Sequence, residues 1–101
     1  MTNPPKNSLP SDPNPLAQWR AEIDVLDAQL LEVLSRRVQV VVEIGKYKQQ
    51  NGLQPLDPVR WQQVLNANIE RGKALNLSQP VIEALYHLIH DYSLELERQE
   101  H

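Results

Sequence analysis

The sequence of 101 residues has no cysteine and no phenylalanine, and it carries only three glycines and five aromatic residues. Without cysteine there is no disulfide, no thiolate metal site and no cysteine nucleophile, which fits a reducing compartment. So few glycines nearly exclude β-sandwiches and barrels, which need a turn about every 8 to 12 residues, and doubly wound folds, which need Gly-rich βα turns. Basic residues are not in excess: the net charge is −3 and the isoelectric point is near 5.5. That balance argues against a nucleic-acid partner recognised through a strongly basic surface. No apolar run approaches the roughly 18 residues of a membrane span, and the N-terminus lacks the basic start and apolar core of a signal peptide. A cytoplasmic protein with neither a nucleic acid nor a membrane as partner is expected.

What the chain does have is 41% hydrophobic and 23% charged residues, globular values, with Leu, Val and Ile supplying most of the apolar side chains. Long helices are the remaining fold class. Five of the eight prolines (Pro4, Pro5, Pro10, Pro13 and Pro15) fall in the first fifteen residues, so residues 1–14 read as a flexible arm and residues 15–101 as one helical domain. Asn14 followed by Pro15 is a helix start. Leu16, Trp19, Ile23, Leu26, Leu30, Val33, Val40, Ile44 and Tyr47 then follow in alternating steps of three and four, a heptad seam that ends at Asn51-Gly52. The first helix is therefore about 35 residues and about 50 Å long. Asp57-Pro58 starts a second helix, with Trp61, Val64, Leu65 and Ile69, that fades near Lys73. Ser78, through its hydroxyl, caps a third, with Val81, Ile82, Leu85, Leu88, Ile89, Tyr92 and Leu96. Three helices, one of them very long, cannot make a thick core alone, so a second copy of the chain is expected to complete it.

Several polar residues break the pattern. Arg37 holds a seam position reserved for an apolar side chain. A guanidinium buried there must meet a carboxylate of the protein or an anionic ligand. Arg20 and Lys48 flank the seam on one side, 28 positions apart, which on one helix is about 42 Å. If two copies of the helix pair antiparallel about a two-fold near Leu34, Arg20 of one chain comes level with Lys48 of the other, and Arg37 lies about 16 Å away along the helix. Two cationic pockets per dimer would result, although spacing alone favours the plainer reading of Arg20 and Lys48 as solvated charges. Ser93 and Glu97 share a face of the third helix beside its apolar stripe. Glu97 is then a partner for Arg37, a group in the same pocket, or a solvated residue of the last turn. His87, His90 and Asp91 form H-x-x-H-D, but no third ligand is placed to complete a metal site, and none is expected.

The segment WRAEIDVLDAQLLEVLSRRVQVVVEIGKYKQQNGL (Trp19 to Leu53), LDPVR (Leu56 to Arg60) and ALYHLIHDYSLELE (Ala84 to Glu97) together resemble the all-α class of chorismate mutases over about four-fifths of the chain. The resemblance implies an intertwined homodimer of three-helix chains acting on a small dianion, chorismate, with no cofactor and no metal. By position, Arg20 matches the arginine given to the neighbouring chain's site, and Arg37 the arginine that holds a substrate carboxylate. Lys48 matches the lysine on a carboxylate and the ether oxygen, and Glu97 the second donor to that oxygen. Arg60 resembles a second-helix arginine near the site, Asp57 a residue whose backbone positions ring substituents, and Ser93 a neighbour of the ring carboxylate. The implied reaction, chorismate to prephenate in aromatic amino acid synthesis, is a concerted [3,3] shift. It needs the substrate held in a compact chair and negative charge stabilised on the breaking ether oxygen. Glu97 must be protonated to donate there.

Trp61 departs from the family pattern, where a glutamate often accepts the hydrogen bond of the ring hydroxyl. Either Trp61 faces the core and Gln62 or Gln63 takes over, or the pocket is more apolar at that place. Related enzymes of the fold therefore remain alternatives: an isochorismate-pyruvate lyase, or a mutase acting on 4-amino-4-deoxychorismate. A non-catalytic dimeric helical module with Arg37 paired internally is a further one. No dehydratase, dehydrogenase or regulatory segment is read in the sequence, and a larger regulatory enzyme is conceivable as a partner.

Overall fold

The computed structural model describes residues 15–99; the expected arm and the expected cap Asn14 lie outside the described residues. Three helices follow one another, α1 (Leu16–Gln50), α2 (Pro58–Ala74) and α3 (Gln79–Gln99), and the described residues contain no strand. The fold is all-α, as the scarcity of glycine and the heptad steps predict. Among the described residues no helix is long and apolar enough to cross a membrane. The described residues divide within α1 into two compact units, residues 15–36 and residues 37–99.

Local chemistry sets the helix ends. At Gly52, φ is +66°, and the Leu53 N–H reaches the Lys48 carbonyl at 2.8 Å while the Gly52 N–H reaches that of Gln49 at 3.3 Å. This paired closure satisfies the last carbonyls of α1 and depends on a left-handed residue, which glycine adopts without steric cost. The Asp57 carboxylate caps α2 by accepting from the Arg60 N–H at 3.1 Å, with Pro58 at the first helical position. The sequence pattern left the end of α2 diffuse, but it has the same closure as α1. Asn76 adopts φ +64°, and the Leu77 and Asn76 N–H groups reach the carbonyls of Gly72 and Lys73 at 2.9 and 3.0 Å. Asparagine is the residue after glycine that best tolerates this conformation.

The start of α3 corrects one expectation. Ser78 stands at the cap position, yet its carbonyl, receiving the Ile82 N–H at 3.0 Å, makes the bond, and its hydroxyl does not. A capping hydroxyl reaches the second or third N–H of the helix, and the second helical residue is Pro80, which has none.

In the first unit the seam residues Leu16, Trp19, Ile23, Leu26, Leu30 and Val33 are all exposed, Leu30 at 64%. In the second unit Val40, Ile44 and Tyr47 are exposed as well, and the buried hydrophobic residues are Val41, Ile82 and Leu94. The core thus lies to one side of the predicted seam. Leu94, absent from the predicted stripe of α3, is buried, whereas Val81, Leu85, Leu88 and Tyr92 of that stripe are exposed. The periodicity found two apolar faces, of which a single chain covers one. Helices α2 and α3 pack together at Gly72, where an added Cβ would stand 2.8 Å from Ile82 Cγ1.

Candidate active site

The second unit contains a cavity of about 240 Å³, lined from α1 by Arg37, Val41, Ile44 and Lys48, from the α1–α2 loop by Pro55 and Asp57, and by residues of α2 and α3. Its polar groups meet in two places. Lys48, in the last turn of α1, donates from Nζ to Glu97 Oε1 at 2.8 Å and to the Pro55 carbonyl at 2.7 Å. Because the Lys48 carbonyl also takes the Leu53 N–H, one residue ties the end of α1, the loop and α3 together. Glu97 is only 7% exposed and is the one buried charged residue among those described. A carboxylate so placed needs a cation, since an unpaired buried charge costs several kcal/mol.

In the other place Arg37 Nη1 donates to Ser93 Oγ at 3.0 Å. Arg37 is half-buried. None of the ion pairs among the described residues includes it. The internal Arg–Glu pair weighed from the sequence is therefore not formed, and Glu97 serves Lys48 instead.

Arg60 also lines the cavity, and its backbone N–H holds the Asp57 cap. Thus six of the seven residues singled out from the sequence (Arg37, Lys48, Asp57, Arg60, Ser93 and Glu97) meet around one cavity. Arg20 belongs to the first unit, where it is exposed on α1.

Trp61 is half-buried in the cavity wall, whereas Gln62 and Gln63 are exposed, and Gln62 bonds to Asn66 at 3.1 Å. Of the two readings of Trp61, the more apolar pocket is the one formed. The indole stacks on His90, with ring centroids 4.0 Å apart and planes 14° from parallel, and meets His87 edge-on at 5.1 Å. The two histidines are therefore packed on an aromatic ring. No three metal-ligating side chains gather among the described residues.

His90 lines the cavity and was missed as a site residue. Its signal is its place three residues before Ser93 and seven before Glu97, on one face of α3. Burial pushes its pKa below the usual histidine value; His87 and Arg37 act in the same direction, while Asp91 and Glu97 oppose. The imidazole is accordingly neutral at pH 7.

The cavity so built has three cationic side chains at its edges, one buried carboxylate, and no nucleophile poised beside a base. It can hold a small anion and stabilise charge on it.

Comparison with known proteins agrees with this chemistry. Residues 19–98 match the model of the family described as chorismate mutase type II. The T-protein of Haemophilus influenzae is 34% identical over 68 residues, covering 67% of this chain and 18% of that protein. The bifunctional chorismate mutase/prephenate dehydratase of Escherichia coli is 37% identical over 76 residues, covering 75% of this chain and 20% of that one. The 4-amino-4-deoxychorismate mutase of Streptomyces venezuelae is 38% identical over 50 residues, covering 50% and 48%. The chain thus aligns with between about a fifth and a half of the length of these curated relatives. With the family's match spanning all three helices, the chain belongs to the chorismate mutase type II family.

Proposed function

We propose that the protein is a chorismate mutase, an isomerase that rearranges chorismate to prephenate in aromatic amino acid synthesis, in the cytoplasm and without a cofactor. The observation that carries this reading is the convergence of Arg37, Lys48, Ser93 and Glu97 on one small cavity. In the reaction the ether C–O bond breaks as the new C–C bond forms within one molecule, so no proton or electron need be exchanged with the protein. The protein's work is orientation and electrostatics. Arg37, whose partner here is a neutral hydroxyl, has capacity to bind a substrate carboxylate, with Ser93 beside it. Lys48 donates to the second carboxylate and to the ether oxygen, where negative charge develops. Glu97, protonated when the dianion is bound, is the second donor to that oxygen. Arg60 adds positive potential, and Asp57, fixed as the cap of α2, holds the backbone that faces the ring.

The enzyme works as a homodimer. Nine large apolar residues of the α1 seam are exposed in a single chain, far more than scattered surface apolar residues explain, and their heptad spacing suits a second helix. Antiparallel pairing places Arg20 of each chain at the partner's site, as the fourth cation around the dianion.

Incubating the protein separately with chorismate, isochorismate and 4-amino-4-deoxychorismate tests the assignment. Prephenate is the expected product. Salicylate plus pyruvate would instead identify a lyase. Turnover of the amino substrate alone would favour the activity named for the Streptomyces venezuelae relative, and turnover of none would favour a non-catalytic helical module.

A further inference from the structure

The donors and acceptors of the cavity are unequally supplied. Arg37, Lys48 and Arg60 are donors only, which suits the carboxylates and the ether oxygen of chorismate, all acceptors. The ring hydroxyl is the substrate's one donor, and it needs an acceptor. Ser93 Oγ, the Pro55 carbonyl, Glu97 Oε1 and Asp57 Oδ1 each already accept one bond, from Arg37, Lys48, Lys48 and the Arg60 N–H in turn, so each would take the hydroxyl only beside a donor it already holds. His90 also lines the cavity, and its imidazole makes no hydrogen bond among the described residues. We propose that His90, its ring plane held by the stack on Trp61, accepts the hydrogen bond of the substrate's ring hydroxyl and thereby sets the choice of substrate.

This inference rests on the chorismate mutase reading of the same site. The geometry gives it content: a centroid distance of 4.0 Å and a tilt of 14° fix the imidazole plane against the indole, while His87 closes the indole from its edge. The groups acting on His90 are Asp91, Glu97 and His87 from α3 and Arg37 from α1, with Trp61 packed on it from α2 and Lys48 and Arg60 on the same cavity. Burial, with His87 and Arg37, outweighs the two carboxylates and keeps the ring neutral, which an acceptor requires. A neutral acceptor among cations suits a hydroxyl. It does not suit an ammonium, which would add a positive charge where three already stand and would call for a carboxylate.

The test compares chorismate with the analogue in which hydrogen replaces the ring hydroxyl, using wild type, His90→Ala and His90→Gln, with circular dichroism confirming that each is folded. His90→Ala should lower kcat/KM for chorismate about fivefold to tenfold, the worth of one hydrogen bond, and change that for the analogue less than about twofold. In the wild type, kcat/KM for chorismate relative to that for the analogue, a ratio in which every other group of the site cancels, should fall as acid protonates His90. That acid limb of the ratio should be absent in His90→Gln, which keeps an acceptor that does not titrate. Wild type should also prefer chorismate to its 4-amino counterpart. Equal losses on chorismate and the analogue, no loss on either, or an acid limb of the ratio that survives in His90→Gln would overturn the proposal while leaving the mutase assignment standing. A wild type that forms no prephenate would overturn both.

Discussion

Replacing Glu97 by glutamine isolates the proton that the proposed mechanism requires. Glu97 Oε1 accepts from Lys48 Nζ at 2.8 Å, the geometry of a carboxylate facing an ammonium. A carboxylate has no proton to donate to the ether oxygen, so substrate binding must be coupled to uptake of one proton, drawn by the arriving dianion. Only a side chain at position 97 that carries a hydrogen supplies this bond, and one such donor is worth about a hundredfold or more in rate, so kcat/KM of the wild type should fall toward alkaline pH. Glutamine offers an N–H at every pH, so in Glu97→Gln the alkaline limb should flatten to within about twofold. Arg37, Asp57 and Arg60 are the same in both proteins, and the titration of His90, on which Glu97 itself acts, lies on the acid side and leaves the alkaline limb untouched. Calorimetric titration of each protein with a stable dianionic transition-state mimic, in buffers of different ionisation enthalpy, should show about one proton taken up per site by wild type and none by the variant. An alkaline limb that persists unchanged in Glu97→Gln would remove Glu97 from the donor role.

Lys48→Ala should reduce kcat by about a thousandfold or more. It should also destabilise the ligand-free protein by roughly 2–3 kcal/mol in urea denaturation, because it takes the ammonium away from a buried carboxylate, and the double variant Lys48→Ala/Glu97→Gln should recover part of that stability. Arg37→Ala should weaken substrate binding at least tenfold while changing stability by no more than about 1 kcal/mol, since it gives up only the bond to Ser93; a larger stability loss with no effect on binding would support the non-catalytic reading. Gly72→Ala should cost about 1–3 kcal/mol, measured by chemical denaturation, because the new methyl group meets Ile82 at 2.8 Å. If Arg20 completes the partner's site, mixing inactive Arg20→Ala and Lys48→Ala chains should restore about a quarter of wild-type activity. Random pairing makes half of the dimers mixed, each with one intact site.

The heptad steps, the Asn51-Gly52 end and the Asp57-Pro58 start placed α1 and the head of α2 because those signals are local: one residue caps, one breaks, and the side chains need no distant partner. Ser78 misled because a cap bond depends on the N–H groups that follow, and Pro80 removes one of the two that a capping hydroxyl can reach. The site residues were legible where an ionisable group interrupted an apolar pattern, as Arg37 does, or where the family motif marked them. His90 was not legible. Its meaning depends on Trp61, twenty-nine positions earlier, and a stack between two helices leaves no periodic trace in either. The division of the apolar residues into a covered face at Val41, Ile82 and Leu94 and an uncovered seam was equally hidden, since periodicity reports that a face is apolar and not what covers it.

The two cavity-lining cations of α1 are partnered unequally. The Lys48 side chain retains 18% exposure and faces a carboxylate of 10%, a pair of opposite charges largely shielded from water. Arg37, half-buried and with a delocalised charge, is held by a neutral hydroxyl. Glu97 therefore has two successive tasks in the proposed cycle: counter-ion to Lys48 before the dianion binds, and hydrogen-bond donor once the dianion supplies the negative charge that Lys48 requires. An amide at position 97 can perform only the second. Glu97→Gln should then be less stable than wild type without ligand, yet faster at alkaline pH. Because stability is measured on the empty protein and turnover on the complex, the two effects should be seen in the same variant with opposite signs, which loss of a purely structural ion pair would not produce.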